Sequence, residues 1–584
     1  MERSELKNLI DAASGRIPSE LCVKNCKVID VFNKEVFESD VYIYGGKFVG
    51  FGSSEKPFPE AERTVDAHGM YMAPGFIDSH LHIESSHVSP PEYSKLVIPC
   101  GTTTVVADPH EICNVCGLDG MDYMLDSSEG LPLSVFLQFP SCVPATPFEH
   151  SGAVLLAPAV EKRINHPRVL GLGELMNYVG VQGAYEDVLD KMLVAINNGK
   201  VIDGHAPAVF DSALDAYSVG GVLTDHECAT AEELKDKLRR GMYVLLRQGT
   251  VCHDLLNLLK GVNIKNQEYC LFCTDDCQAK TILDNGHIDN NIRMAVEAGL
   301  DPIVAISIAT LNASNCYNLK DRGAIAPGRR ADFVLFESLK DIRPVEVYTA
   351  GNHVASKGQY LAEVAHFPVP AAVTGKMNVR NLSVESFDLK LKNNRAHTIK
   401  VIPGSVVTEK NVVTVDLDEK GNWKRNDEDV VKIAVVERHH GTGNVGLALY
   451  EGFGLKGGAV ATSVGHDSHN ITVAGDNSED MYAAVQELIR LGGGMAVVTG
   501  GQVVCSVEHE IAGLMADKSG REVADELTEI QEIARKTLHI RDDVDPFMTL
   551  CFMSLPVIPD IKITDCGLFD VKDYRFISVE AEEE

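Results

Sequence analysis

The sequence predicts an α/β protein in which a (β/α)8, TIM-like barrel is inserted in a small β-sandwich-like domain and is followed by an α+β C-terminal domain. Three observations lead there. Apolar runs of strand length alternate with stretches of helical periodicity from Phe76 to about residue 325. β-rich segments flank that stretch on both sides, and a second mixture of strand-like and helix-like runs begins near residue 385.

Residues 1–75 are the N-terminal part of the composite β domain. LCVKNCKVIDVFNKEVFESDVYIYGGKFVGFG reads as a small antiparallel sheet, its β-rich runs broken by Asn, Asp and Gly-Gly turns. Residues 76–325 are the barrel: TTTVVAD, VLGLGE and YVLL are strand-like, AEELKDKLRR and IDNNIRMAVEAG are helical, and about 250 residues is the span an eight-fold barrel needs. Residues 326–384 return to β texture in APGRRADFVLF and VEVYTAGNHVASKGQYL, so the chain is expected to rejoin the N-terminal sheet. Residues 385–584 form the α+β unit. TIKVIPGSVV, KIAVVE and GMAVVTGG are its strands, SEDMYAAVQELIR and REVADELTEIQEIARK its helices, and SVEAEEE a frayed acidic tail.

The 584 residues exceed what one hydrophobic core supports, which agrees with several units. Lys+Arg at 53 against Asp+Glu at 84 leaves a net charge of −31, a field that repels phosphate backbones and anionic lipid, so neither nucleic acid nor a membrane is an expected partner. No apolar run reaches the roughly 18 residues of a membrane span, and MERSELKNLIDAASGR lacks an apolar signal core, so a cytoplasmic location is expected. Fifteen scattered cysteines read as reduced thiols. Cys113/Cys116 and Cys270/Cys273 have the spacing of a four-thiolate zinc site, but the pairs lie far apart and read better as buried thiols.

The chemistry is concentrated in PGFIDSHLHIESS. His80 and His82 follow an apolar, strand-like run, and residues i and i+2 of a strand face the same side, so both imidazoles can reach one cation. Alone, the pair fits a satisfied strand end equally well. The other predicted strand ends weigh against that: Glu174 lies in GLGELMN, His205 in VIDGHAP, His226 in LTDHECA and Asp275 in LFCTDD. Barrel strands converge at their C-terminal ends, and burying six such groups is costly unless they are paired or hold metal. Four imidazoles and two carboxylates predict a two-metal site, with Glu174 as the bridge and a hydroxide between the cations as nucleophile.

PGFIDSHLHIESS, GTTTVVADPHEICNVCG, LGELMNYVGV, DGHAP, CTDD, GHIDNNIR, APGRRADFVLF, SVGHDSHNI and LPVIP, in that order, resemble the bacterial adenine deaminase family of the amidohydrolase superfamily. HIESS, DPHE and HDSHN together are distinctive of that branch. The resemblance implies hydrolysis of adenine to hypoxanthine and ammonia in purine salvage, by a homo-oligomer, a dimer. It also implies two divalent cations per subunit, manganese or iron with zinc as the alternative, on His80, His82, Glu174, His205, His226 and Asp275. Two stretches depart from the family: Arg247-Gln248-Gly249 stands where Arg-Glu-Gly is common, and SVEHEIAGLM where a Leu-Pro-rich segment is. Both departures bear on substrate contacts and leave the ligand set intact.

In such a reaction hydroxide attacks C6, and Asp275 takes its proton and returns it to the departing amine. Charge grows on ring N1, where His110 or Glu111 of ADPHEI would donate; the same two residues fit the cap of the next helix. Asp108 is a further substrate or metal contact. Glu84, Ser85 and Ser86 orient the purine or support the cations, Arg247 and His287 face the pocket or belong to surface loops, and Asp276 caps a helix or anchors Asp275. In GHDSHNITV, His466 and His469 form a metal pair or a hydrogen-bonded turn, which could close over an active site or fix a domain interface.

Three alternatives compete with this reading. The zinc deaminases of nucleobases carry His-x-Glu with Pro-Cys-x-x-Cys; His82-Ile83-Glu84 fits, but Pro99-Cys100-Gly101-Thr102 lacks the second cysteine and Cys113-Asn114-Val115-Cys116 the proline. Another amidohydrolase, acting on a cyclic amide or related heterocycle, would share the cations but not the base pocket. A catalytically dead scaffold is disfavoured by the complete set of six ligand-type residues.

Overall fold

The computed structural model describes residues 2–52, 61–426 and 429–582. In Thr102–Ala107, TTTVVA, β-branched residues dominate and every position is buried, which is the pattern of a parallel strand covered on both faces. Eight parallel strands of this kind follow one another: Phe76–Leu81, Thr102–Ala107, Ser134–Phe139, Val169–Leu175, Val201–Gly204, Thr224–Asp225, Tyr243–Arg247 and Cys270–Cys273, with helices between them. The first five form one sheet in sequence order and the last three a second. The Leu223 amide donates to Ile202 O at 2.9 Å between the two sets, and Leu81 makes a parallel bridge to Asp275, just beyond the last strand.

The flanking β segments meet as expected. Phe333–Phe336 pairs antiparallel with Tyr71–Pro74, so residues from either side of the parallel strands share one nine-stranded sheet. Within it Ser19–Asp30, Glu35–Tyr44 and Lys47–Gly52 pair antiparallel, as expected, while Ser19–Asp30 also runs parallel to Ala61–Asp66 and Tyr71–Pro74, which makes the whole sheet mixed. Turn residues announce a hairpin, but nothing local announces which strand covers its other edge. Helix Arg3–Ala13, which the sequence reading did not place, sets Leu9 and Ala12 against Cys22, Tyr42 and Val49 of the sheet.

From Arg395 onward an eight-stranded sheet carries helices Ser478–Leu491 and Gly520–Leu538, matching the expected α+β texture. Both helices start where the sequence provides a cap: Asn477 accepts from the Asp480 amide, and Ser519 forms a capping box with Glu522. One apolar core runs from Val105 and Leu172 of the parallel strands to Val460 and Ile530 of this part. The acidic end is docked where a frayed tail was expected: Val579 O accepts from the His397 amide at 2.7 Å, Glu580 bridges Ala396, and Ala581 is buried. Glu583 and Glu584 lie outside the described residues. No helix of the described residues is long and apolar enough to cross a membrane.

One buried ion pair ties a helix to a strand end that matters below. Helix Ala231–Arg239 starts with a Thr230–Glu233 capping box, and its Lys237 places Nζ 2.8 Å from Asp225 Oδ1, both side chains fully buried. Lys237→Met would leave the Asp225 carboxylate buried without its cation, at a cost of about 3–5 kcal/mol, read as a lower melting temperature. Because Asp225 precedes His226, activity is expected to fall with it.

Candidate active site

All six metal-ligand candidates are carried at or just past the C-terminal ends of parallel strands. His80 lies at the end of the first and Glu174 of the fourth, and His205, His226 and Asp275 follow the fifth, sixth and eighth; His82 lies two residues past His80. All are buried except His205, which is partly so. Glu174 stands in the middle. Its Oε1 lies 3.1 Å from His80 Nε2 and 2.9 Å from His82 Nε2, while Oε2 lies 2.9 Å from His205 Nδ1 and 3.6 Å from His226 Nε2. Each carboxylate oxygen thus faces its own pair of imidazoles. Asp275 Oδ1 closes the first group at 3.5 Å from His80 and 3.2 Å from His82.

Local sequence builds this arrangement. His82 turns Nδ1 to the Asp108 carbonyl at 2.8 Å, which places a proton on Nδ1 and directs Nε2 toward Glu174 and Asp275. Asp108 Oδ2 accepts the Glu174 amide at 2.8 Å, an approach that only Gly173 permits, since a Cβ there would sit 2.0 Å from that oxygen. Asp275 holds φ at +58°, a left-handed conformation that Asp tolerates better than most residues.

The charges are strongly coupled. Burial would lower the His80 pKa, but the facing Asp275 and Glu174 carboxylates outweigh it and raise it to about 10; the same balance raises His82. Burial would raise Glu174 and Asp275, yet the surrounding histidines, and for Asp275 also Arg247, hold both well below the usual carboxylate range. His226, stacked on His80 with ring centres 4.0 Å apart, is pushed down by burial and by His80. This donor set suits divalent cations. His80, Glu174, His226 and Asp275 offer ligand atoms within 4.8 Å of one another, and His80 Nε2 and Glu174 Oε1, though close and buried, lack a hydrogen-bond partner.

The remaining predicted residues divide. Glu84 accepts the Ile112 amide on Oε1 at 3.2 Å, while Oε2 is buried without a partner. Burial and the charge of Glu111 push Glu84 up to about 8. Ser85 Oγ donates to Asp276 at 2.5 Å, and a crevice lined by Ser85, His87, Asp276 and Gln278 opens there against Val464, His466, Met495, Met548 and Cys551. His110 is buried, with Nδ1 3.6 Å from Glu174 Oε1, and burial lowers its pKa to about 3. Glu111 is buried beside His466 and His469. Cys113, Cys270 and Cys273 are buried thiols whose pKa burial raises.

Three predicted contacts are engaged by neighbouring groups. Ser86 Oγ donates to Ile83 O within its own turn. His287 is buried, bonded to Thr102 Oγ1 at 2.8 Å and Tyr93 OH at 3.0 Å, with Asp78 3.2 Å away, and it lines a cavity with Gln248, Gly249 and Thr274. Arg247 is buried among three carboxylates, bonded to Glu227, to Asp254 at 3.0 Å and to Asp275 Oδ2 at 2.9 Å, so it fixes Asp275 and presents no free guanidinium. Glu227 was missed by the sequence reading although it directly follows His226; it lies 3.4 Å from the His226 ring and 3.9 Å from that of His205. Of the first departing stretch, Arg247 thus touches the ligand cluster through Asp275. Gln248 bonds His253 at 2.7 Å, and in the second stretch His509 stacks on His87 with ring centres 4.9 Å apart.

Carboxylates and imidazoles gathered at the C-terminal ends of parallel strands define a metal-dependent hydrolase of the amidohydrolase kind, and residues 71–359 match the Amidohydrolase family. Residues 405–575 match the Adenine deaminase C-terminal domain. The chain is 50% identical over 582 residues to "Adenine deaminase 2" of Desulfotalea psychrophila, covering 100% of each. It is 49% identical over 577 residues to the adenine deaminase of Nitratidesulfovibrio vulgaris, covering 99% of each, and 43% identical over 573 residues to that of Clostridium acetobutylicum, covering 98% of this chain and 100% of the other. The chain belongs to the adenine deaminase family.

Proposed function

We propose that this chain hydrolyses adenine to hypoxanthine and ammonia, and that His80, His82, Glu174, His205, His226 and Asp275 hold two divalent cations, manganese or iron, with zinc as the alternative. The two sets of parallel strands are read as one (β/α)8 barrel, residues 76–325, set into the composite β domain of residues 1–75 and 326–384 and followed by the C-terminal domain of residues 385–584. One observation carries the two-cation reading: each oxygen of Glu174 faces its own histidine pair, the geometry of a bridging carboxylate. Full-length similarity to adenine deaminases supports the substrate.

Divalent cations bound there supply the Lewis acidity that makes water a nucleophile at neutral pH. The side chains do the rest. Asp275, its Oδ2 held by Arg247, receives the proton of the attacking water and passes it to the departing amine. Glu84 meets the charge developing on ring N1: its unpartnered Oε2 is buried, and at neutral pH its raised pKa leaves most of it a carboxylic acid able to donate. Glu111 does not suit that task, because His466 and His469 keep it ionised; it accepts an N–H of the base instead. His110 adds a neutral imidazole beside Glu174, and Ser85 with Asp276 borders the crevice through which the purine enters.

Anaerobic reconstitution with manganese or ferrous iron, followed by ultraviolet spectroscopy of adenine, tests this. Conversion to hypoxanthine with ammonia release is expected. Untouched adenine alongside turnover of adenosine or a hydantoin would overturn the substrate and leave the class intact.

A further inference from the structure

The HDSHN segment lies about 190 residues beyond Asp275 in sequence, and the reaction above draws on it only for the charge of Glu111 and the wall of the crevice. It connects strand Ala459–Thr462 to strand Ile471–Gly475, and all five of its residues are buried. His466 Nδ1 lies 3.2 Å from Glu111 Oε1, and His469 Nε2 lies 3.3 Å from Glu111 Oε2, so the two imidazoles take one carboxylate oxygen each. Asp467 Oδ1 reaches to 3.8 Å from His110 Nε2.

One contact bears on the two readings that the sequence left open for this motif. The Gly465 amide donates to His469 Nδ1 at 3.1 Å. That nitrogen is therefore an acceptor, and the ring proton sits on Nε2, toward Glu111. A nitrogen carrying a proton offers no lone pair to a cation. We therefore read Glu111, His466 and His469 as an ion-paired clamp, a carboxylate held between two imidazoles at 3.2 and 3.3 Å.

The clamp is rigid from its far side. The His466 ring stacks on Phe552 with centres 4.6 Å apart, and its amide donates to Cys551 O at 2.9 Å. The fully buried Arg438 donates to the carbonyls of His469 and Ala512, and His439 Nε2 bonds Ser468 O at 2.7 Å. Asn470 Nδ2 donates to His150 O at 2.8 Å, which ties the segment to the loop after the third parallel strand. Among the described residues of its own part of the chain, Glu111 receives only the Ser85 hydroxyl, at 3.5 Å.

We infer that His466 and His469 are positioning residues of the deamination, which the C-terminal sheet supplies to fix the Glu111 carboxylate at the strand ends. The inference rests on the adenine reading above. A shift of about 1 Å in a reacting group can cost on the order of 100-fold in rate, so an unclamped Glu111 is expected to lower kcat far more than it changes KM.

The test is a double-mutant cycle on the metal-loaded, full-length protein, with His469→Ala, Glu111→Gln and the two combined. His469→Ala is expected to reduce kcat on adenine by about 10- to 100-fold, with KM within about 3-fold and metal content unchanged. In the Glu111→Gln background the same change is expected to cost less than about 3-fold, since its target is already lost. His469→Gln, whose amide N–H reaches the position of Nε2, and His466→Asn, whose amide matches Nδ1, are expected to keep most of the activity and to serve in the cycle if alanine prevents folding. Additive losses, or no rescue by glutamine, would overturn the inference. Should the unaltered protein leave adenine untouched and turn over another amidohydrolase substrate, the adenine reading fails; the cycle run on that substrate still decides the role of the pair.

Discussion

Glu174→Gln is expected to strip the site of metal and to lower kcat by about 10³-fold or more, read by elemental analysis of the purified protein and by adenine conversion. Glutamine keeps the shape of glutamate but replaces one oxygen by an NH2 group, and here both oxygens are in use, one toward His80 and His82 and the other toward His205 and His226. Whichever way the amide turns, one histidine pair faces a donor where a shared acceptor stood. The Glu174 amide stays fixed by Asp108 Oδ2, so the backbone gives no relief. Folding should survive, because the carboxylate is itself a buried charge that the fold tolerates through its partners. A Glu174→Gln protein that retained full metal and full activity would remove the bridge from the proposal and leave two unconnected half-sites.

Much of this site was legible in the chain because strand periodicity converts spacing into direction. His80 and His82 share a face, and Glu174, His205, His226 and Asp275 each close an apolar run, so their convergence follows once the runs are read as parallel strands. Side-chain direction off the strands was not legible. Arg247 sits two residues before a glycine in a segment that reads as a pocket wall, yet it turns toward Glu227, Asp254 and Asp275, and no local pattern announces three carboxylates from three segments. His287 opens a helix at a strand-end level but points back toward Tyr93 and Thr102. The HDSHN motif could be singled out by its density of polar groups, whereas its meeting with Glu111 depends on how two sheets pack. The mixed pairing of Ser19–Asp30 escaped for the same reason: its edge partners are chosen by tertiary contacts.

Asp275→Asn carries the second large expectation, a fall in kcat of about 10²- to 10⁴-fold at saturating metal, with a smaller change in KM. Asparagine isolates the proton from the fold. Asp275 adopts φ of +58°, which Asn tolerates as well as Asp does, whereas alanine would add roughly 1–2 kcal/mol of backbone strain and confuse the two effects. The amide is poorly served in either orientation: Arg247 donates to one oxygen at 2.9 Å, so the NH2 must turn toward His80 and His82, where an acceptor is needed. Some loss of metal affinity is therefore expected, which is why rates are compared with metal in excess. What cannot be restored by metal is the group that accepts a proton from water and returns it to the amine. An Asp275→Asn protein that reached the unaltered kcat once loaded would show that another base does this work, and Glu227, 3.4 Å from the His226 ring, would be the next carboxylate to replace.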